Sequence, residues 1–167
     1  TVSIDGNMLV YVSDRSGNFD LWLKRLGPGV QDPDRRLTFH SGEDNSPSIS
    51  PDGKWLVFIS NRTDPKGDIY LMPIEDSVDE EPSETPSAED AKALTDVALP
   101  ESDPVWSPDQ KSLYFTSEDA KTRGTFIFKL DLNTKDKFQV SKIEAVSPAL
   151  SRDSQFMVMV ARGKKSG

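Results

Sequence analysis

A repeated turn motif is the feature of this sequence that most constrains its fold. Residues 46–54 read SPSISPDGK, residues 102–111 read SDPVWSPDQK, and a degraded copy, VSPALSRDS, spans residues 146–154. The end of the motif also occurs near the amino terminus, where residues 2–7 read VSIDGN. The four copies align on one aspartate each, Asp5, Asp52, Asp109 and Asp153, at spacings of 47, 57 and 44 residues. Self-similarity at such a period is typical of proteins built from stacked structural repeats.

Each copy of the motif is followed by apolar runs of strand length. The first runs are residues 8–12, 55–59, 113–115 and 156–160; the second are residues 19–23, 69–72 and 126–130. A shorter element closes each unit, at residues 36–38, 93–95 and 139–141. In the turn between strands, Asp52 suits the second central position and Gly53 accepts a positive φ, and Asp109 repeats the role of Asp52. Four short strands per unit of roughly 40–50 residues are typical of β-propeller blades.

The sequence therefore predicts an all-β fold, a partial β-propeller ring of about three and a half four-stranded antiparallel blades. We expect blade 1 at about residues 1–40 and blade 2 at about residues 46–96, with an insertion at 75–92. Blade 3 is expected at about residues 102–142 and a half blade at 146–162. Propellers usually close with roughly four to eight blades, so we expect either further blades or self-association to close the ring.

The net charge of −8 comes from one segment of the chain. Residues 75–90 contain eight acidic residues and no basic one, and the remaining sequence has 20 of each sign. Nucleic-acid binding needs clustered Lys and Arg, so no nucleic-acid partner is expected. No apolar run approaches the roughly 18 residues that a membrane-spanning helix needs, so no membrane span is expected. We interpret the acidic insertion as a solvated loop, since it contains too little apolar surface to fold.

The residue inventory argues against catalysis by this chain. The sequence has no Cys and a single histidine, His40. A general base needs a nucleophile and an orienting group in reach, and the sequence contains no Gly-x-Ser-x-Gly motif. We therefore expect no catalytic residues, no metal site and no cofactor. The three tryptophans, Trp22, Trp55 and Trp106, are expected in the core between blades.

The motifs resemble a known repeat family. Residues 50–58 (SPDGKWLVF), 60–62 (SNR), 67–70 (GDIY) and 94–95 (LT) are similar to the WD-like propeller repeat of the TolB-like family. The same repeat occurs in the propellers of tricorn protease and of prolyl-oligopeptidase-type peptidases. The third unit departs from the pattern at residues 118–119 and at Thr125, which stands where the aspartate of the GDIY motif is expected.

The resemblance implies two alternative functions. One is a non-catalytic protein–protein interaction scaffold in a bacterial envelope, where the location would be periplasmic or otherwise extracytoplasmic. The other is a propeller fragment of a tricorn-like or prolyl-oligopeptidase-like serine peptidase, which gates or filters peptide substrates and whose nucleophile lies in a separate domain. A cytoplasmic location stays open as the alternative.

Two structural ion pairs are predicted within the blades. Arg15 and Arg62 end the second strand of their units, and Asp20 and Asp68 begin the third strand. Because these strands form a hairpin, we expect Arg15 to pair with Asp20 and Arg62 with Asp68. The third unit lacks both partners together.

The loops that lead from one blade to the next are the candidate partner-binding surface. Loops at the ends of a rigid scaffold commonly bind partners. The loops between blades contain six candidate residues for binding a protein or peptide: His40, Glu43, Asp44, Asp96, Glu101 and Glu144. Their negative charge favours a cationic partner; the alternative is an ordinary solvated rim.

Overall fold

The computed structural model describes residues 1–74, 91–161 and 163. The expected acidic insertion, up to residue 90, lies outside the described residues. The described chain contains thirteen strands: β1 (Met8–Ser13), β2 (Asp20–Arg25), β3 (Arg35–Arg36), β4 (Asp44–Ile49), β5 (Trp55–Ser60), β6 (Asp68–Pro73), β7 (Lys92–Ala93), β8 (Glu101–Trp106), β9 (Ser112–Glu118), β10 (Thr125–Asp131), β11 (Lys137–Gln139), β12 (Ala145–Leu150) and β13 (Met157–Ala161). Over the same residues, no helix is long and apolar enough to cross a membrane.

The strands form four antiparallel sheets in sequence order. The sheets are β1-β2-β3, β4-β5-β6-β7, β8-β9-β10-β11 and β12-β13. Every pairing joins neighbours along the chain and is antiparallel. The prediction of an all-β partial propeller with about three and a half blades is thereby confirmed. The first sheet has three described strands, and Val2 pairs with Leu9 as an isolated bridge.

The repeated turn has the same internal hydrogen bonds in each sheet. The carboxylate of Asp52 accepts hydrogen bonds from Ser50 Oγ at 2.6 Å and from the Lys54 amide at 3.1 Å. The same two contacts recur at Asp5, Asp109 and Asp153. At the next position Gly53 has a φ of 75°, where a glycine meets no steric penalty. The motif thus folds locally, from contacts that span only a few residues.

The innermost strands β4, β8 and β12 lie side by side and share a backbone distortion. Ser46, Asp103 and Ser147 have φ values of 48°, 52° and 54°, and each precedes a proline. In each strand this residue lies at a β-bulge, where the register against the second strand shifts. A left-handed non-glycine residue is uncommon, so its recurrence shows that the repeat imposes this bend on each inner strand.

Alternate residues of the second strands pack against opposite neighbours. In β5, Leu56 and Phe58 belong to the core shared with the first sheet, which contributes Val10. Val57 and Ile59 belong instead to the core shared with the third sheet. Both faces of the second sheet are therefore buried, as the continuous apolar run predicts.

The expectation that all three tryptophans are core residues is wrong for Trp55. Trp55 is the first residue of β5, directly after the turn, and is 41% exposed. Trp106 is partly buried, packs on the second core and donates a hydrogen bond from Nε1 to the Ser48 carbonyl at 3.0 Å. This bond joins the inner strands of two neighbouring sheets.

Candidate interaction surface

Two sets of loops meet at one end of the sheets, which we call the rim. The rim consists of the loops between second and third strands (14–19, 61–67, 119–124) and the loops between sheets (37–43, 94–100, 140–144). Asn18 joins the two sets in the first sheet, because its Nδ2 donates to the carbonyls of His40 at 2.9 Å and Gly42 at 2.8 Å. Side-chain bonds to backbone of this kind hold the loops in one arrangement.

Next to the second sheet, hydrogen bonds also connect the two sets of rim loops. The amide of Glu43 donates to Asn61 Oδ1 at 2.7 Å, and the Asn61 amide donates to the Glu43 carbonyl at 3.1 Å. Lys66 Nζ donates to the Ala98 carbonyl at 2.8 Å. Gly42 allows the close approach, since a Cβ built there would lie 2.8 Å from Asn61 Oδ1 and 2.9 Å from Arg62 Cα. The rim is therefore a preorganised surface.

Three of the six candidate partner-binding residues are exposed at the rim. Glu43, Asp96 and Glu144 are exposed, whereas His40 is half-buried. His40 Nδ1 accepts a hydrogen bond from the Gly42 amide at 2.9 Å. This nitrogen therefore stabilises the conformation of its own loop. Within the described ranges, no three acidic or histidine side chains gather as metal ligands would.

The expectation that Asp44 and Glu101 belong to the exposed rim is wrong. Both carboxylates are almost completely buried. Each residue begins the innermost strand of its sheet, β4 or β8, and points into the blade. A buried carboxylate requires a partner, and each of them has a basic one: Arg62 for Asp44 and Lys137 for Glu101.

The predicted pairing of Arg62 with Asp68 is also wrong. Arg62 Nη2 lies 3.1 Å from each carboxylate oxygen of Asp44, and its guanidinium is 4.6 Å from the centre of the Tyr70 ring. Asp68 is buried and accepts hydrogen bonds from Thr63 Oγ1 at 3.3 Å and the Val97 amide at 3.2 Å. The arginine therefore reaches the first strand of its blade, where it pairs with the buried Asp44.

The predicted pairing of Arg15 with Asp20 is wrong in the same way. Asp20 is fully buried, pairs with Arg36 Nη2 at 2.6 Å and also accepts from the Ser16 hydroxyl. Arg15 instead lies over Trp22, 3.4 Å from the ring centre, and 3.5 Å from an oxygen of Asp34. The four residues are structural contacts of the blades, but with different partners from those expected.

In the third sheet the buried carboxylate of Glu101 pairs with a lysine, Lys137, which the sequence analysis did not identify. Lys137 Nζ lies 2.9 Å from Glu101 Oε1 and over the rings of Phe115 and Phe128 at 5.0 and 4.9 Å. These rings align with Phe58 and Tyr70 beneath Arg62. Burial raises the pKa of Glu101, while the Lys137 charge opposes the rise.

The register corrects one alignment in the third unit. Asp68 pairs with Ser60 in the second sheet, and the equivalent Ser117 pairs with Phe126, not Thr125. Phe126 therefore stands at the position of Asp68. A signal for Lys137 was present in the sequence. The third unit has Glu101 at the repeat position of Asp44 but no arginine at the position of Arg62, so a different basic residue has to pair with Glu101.

The comparisons with known proteins agree with this architecture. No family model matches the sequence. The uncharacterized peptidase YuxL of Bacillus subtilis is 26% identical over 149 residues, which are 86% of this chain and 20% of that protein. TolB from Acinetobacter baumannii superposes with a TM-score of 0.78 at 23% identity, over 99% of this chain and 37% of that structure. The fold is that of a TolB-like β-propeller.

The tricorn protease shares the fold at greater distance. Its structure matches with a TM-score of 0.62 at 14% identity, over 95% of this chain and 19% of that chain. The chain spans 20% of the length of YuxL. At these identities the TolB and tricorn structures establish the blade architecture, and the function has to be inferred from the residues of this chain.

Proposed function

We propose that the chain is a non-catalytic platform that binds a protein or peptide through its rim. The observation that carries the proposal is the network of bonds that fixes the loops from both sides, above all Asn18 with His40 and Gly42, and Asn61 with Glu43. A surface held in its binding conformation loses less entropy on association than a flexible one. The similarity to TolB supports this assignment and an extracytoplasmic location.

The charge of the loops between sheets indicates the class of partner. These loops carry three exposed carboxylates, Glu43, Asp96 and Glu144, against one exposed lysine, Lys142. Carboxylates on a fixed surface steer a cationic peptide toward it and select its orientation. We infer that the partner presents Lys or Arg residues to the loops between sheets.

A direct binding titration tests the proposal. The probe is a fluorescein-labelled octapeptide of alternating lysine and alanine, with a glutamate–alanine octapeptide as the reference. We expect saturable binding of the cationic probe that weakens with added salt and is reduced in the double variant Glu43→Gln/Glu144→Gln. The matched control is Asp32→Asn/Asp136→Asn, which removes two exposed charges at the opposite end of the sheets. Equal loss in both variants, or equal binding of both probes, contradicts the proposal.

The second candidate function is a substrate-filtering propeller of a peptidase. The observation in its favour is the similarity to YuxL, which extends over 86% of this chain. In such a protein the rim would face a separate domain that holds the nucleophile. The gene sequence on either side of this segment distinguishes the two, because a hydrolase region with a Gly-x-Ser-x-Gly motif supports the peptidase and its absence supports the platform.

A further inference from the structure

His40, the single histidine of the sequence, accepts two hydrogen bonds at the rim. It lies in the loop between the first and second sheets and is half-buried. Its carbonyl accepts from Asn18 Nδ2 at 2.9 Å, and its ring atom Nδ1 accepts from the Gly42 amide at 2.9 Å. A ring nitrogen that accepts a hydrogen bond carries no proton. The structure therefore requires a neutral imidazole with its proton on Nε2.

Protonation of the ring would convert this acceptor into a donor. In the imidazolium form both ring nitrogens carry protons, so Nδ1–H would face the N–H of Gly42 at hydrogen-bond distance. The Gly42 amide would lose its acceptor, and the two donors would repel each other. Histidine is the side chain whose charge ordinarily changes between about pH 5 and 8. Mild acidification is therefore sufficient to break a hydrogen bond of this kind.

The segment around Gly42 has little room to adjust to such a change. A Cβ built on Gly42 would lie 2.8 Å from Asn61 Oδ1. The Gly42 carbonyl accepts from Asn18 Nδ2 at 2.8 Å, and the Glu43 amide donates to Asn61 Oδ1 at 2.7 Å. Residues 40–43 are thus held by Asn18 on one side and by Asn61 on the other. The Gly42 amide cannot turn toward a new acceptor without disturbing these contacts.

The buried carboxylates that flank this loop already have cationic partners. Asp20, at the start of β2, pairs with Arg36 at 2.6 Å, and Asp44, at the start of β4, pairs with Arg62 at 3.1 Å. The other charged side chains of the described loops on either side are exposed or partly exposed: Asp14, Arg15, Glu43, Asp64 and Lys66. Exposed carboxylates offset a neighbouring charge only weakly. Protonation therefore acts mainly through the lost hydrogen bond.

We propose that His40 is a pH switch of the rim: protonation of its ring releases residues 40–43 and weakens the binding of a cationic partner. Two effects act in the same direction. The released loop no longer holds Glu43 in its binding position, and the new positive charge repels a cationic peptide. The effect on the partner rests on the proposed function, whereas the release of the loop is a property of the free chain.

Hydrogen exchange in the free chain tests the release of the loop. NMR measures the exchange of the Gly42 and Glu43 amides at pH 7.5 and 5.5, in protein without a histidine tag, relative to an unfolded peptide at the same pH. We expect the protection of both amides to fall about three- to tenfold at pH 5.5, as the loss of one hydrogen bond predicts. In the matched variant His40→Asn, the side-chain oxygen replaces Nδ1 as the acceptor and does not titrate, so protection should be equal at both pH values. Constant protection in the wild type, or an equal fall in His40→Asn, overturns the inference.

A peptide titration tests the effect on the partner. The lysine–alanine octapeptide is titrated at the same two pH values, and the ratio of the two dissociation constants is compared between variants. We expect binding to be about fivefold weaker at pH 5.5 for the wild type and for Asp32→Asn/Asp136→Asn, and the two constants to be equal for His40→Asn. Equal ratios in the wild type and His40→Asn overturn the regulation of binding by His40. Absence of binding at pH 7.5 contradicts the proposed function and, with it, the effect on the partner, and the exchange experiment then decides the release of the loop alone.

Discussion

Arg62 binds both carboxylate oxygens of Asp44 at 3.1 Å, and both side chains are buried within the second sheet. Removal of one partner from a buried ion pair leaves a desolvated charge, which typically destabilises by about 3–5 kcal/mol. We expect Arg62→Met to lower the free energy of unfolding by about this amount, as measured by urea denaturation. The control Lys54→Met, at an exposed turn position, should change it by less than about 0.5 kcal/mol. A loss below about 1 kcal/mol for Arg62→Met would mean that the pair is not desolvated as the structure indicates.

The buried glutamate of the third sheet predicts a pH dependence. Burial raises the pKa of Glu101 above its ordinary value of 4.5. A carboxyl with a raised pKa in the folded state stabilises the protein below its unfolded pKa, and that contribution is lost as the pH rises through the folded pKa. The stability of the wild type relative to Glu101→Gln should therefore fall as the pH increases from about 4.5 upward. Urea midpoints between pH 4 and 8 measure this difference, with the exposed Glu144→Gln as the charge-matched control; a difference that grows with pH contradicts the prediction.

The turn aspartates predict the opposite dependence. The Ser50 hydroxyl, together with the Lys54 amide, holds the pKa of Asp52 below its ordinary value of 3.8. A carboxyl with a lowered pKa stabilises the folded state above its unfolded pKa and ceases to do so as the pH falls through its folded pKa. Asp52→Ala should lower stability by about 0.5–1 kcal/mol at pH 7. Thermal midpoints should converge with those of the wild type below pH 3.8; an undiminished gap there would show that the side chain acts by packing.

In the last sheet, two valines are exposed at repeat positions that pack against the neighbouring sheet in the second sheet. Val158 and Val160 are 71% and 59% exposed, whereas the equivalent Val57 and Ile59 are buried against the third sheet. We expect the chain to self-associate as its concentration rises, because association buries the exposed apolar face of the last sheet. Light scattering should show a mass that increases with concentration for the wild type but less for Val158→Lys/Val160→Lys. The control Val30→Lys, in an exposed loop, should leave the association unchanged; a monomer at all concentrations would contradict the prediction.

The parts of the fold that depend on local contacts were predictable from the sequence. The turn around Asp52 is closed by Ser50 and Lys54, and the alternation of Leu56 and Val57 follows from strand geometry. These features recur in every unit, so the repeat period alone indicates blades.

The side-chain pairings could not be predicted because they cross between strands that are distant in sequence. Arg62 reaches back 18 residues to Asp44, and Lys137 lies 36 residues after Glu101. A hairpin rule favours the neighbouring Asp68, but the loop places the arginine over the aromatic rings and toward the innermost strand. Two acids that were candidates for partner binding, Asp44 and Glu101, are therefore buried. Of the six candidate residues, Glu43, Asp96 and Glu144 are exposed.

The proposed function depends most directly on where a cationic partner binds. A titration of ¹⁵N-labelled protein with the lysine–alanine octapeptide, followed by NMR amide shifts, locates the contact residue by residue. We expect the largest shifts at the rim, around Glu43, Asp96 and Glu144, with the peptide intact at the end of the experiment. Shifts confined to the turns around Asp52 and Asp109 at the opposite end, or cleavage of the peptide, would contradict a non-catalytic binding platform at the rim.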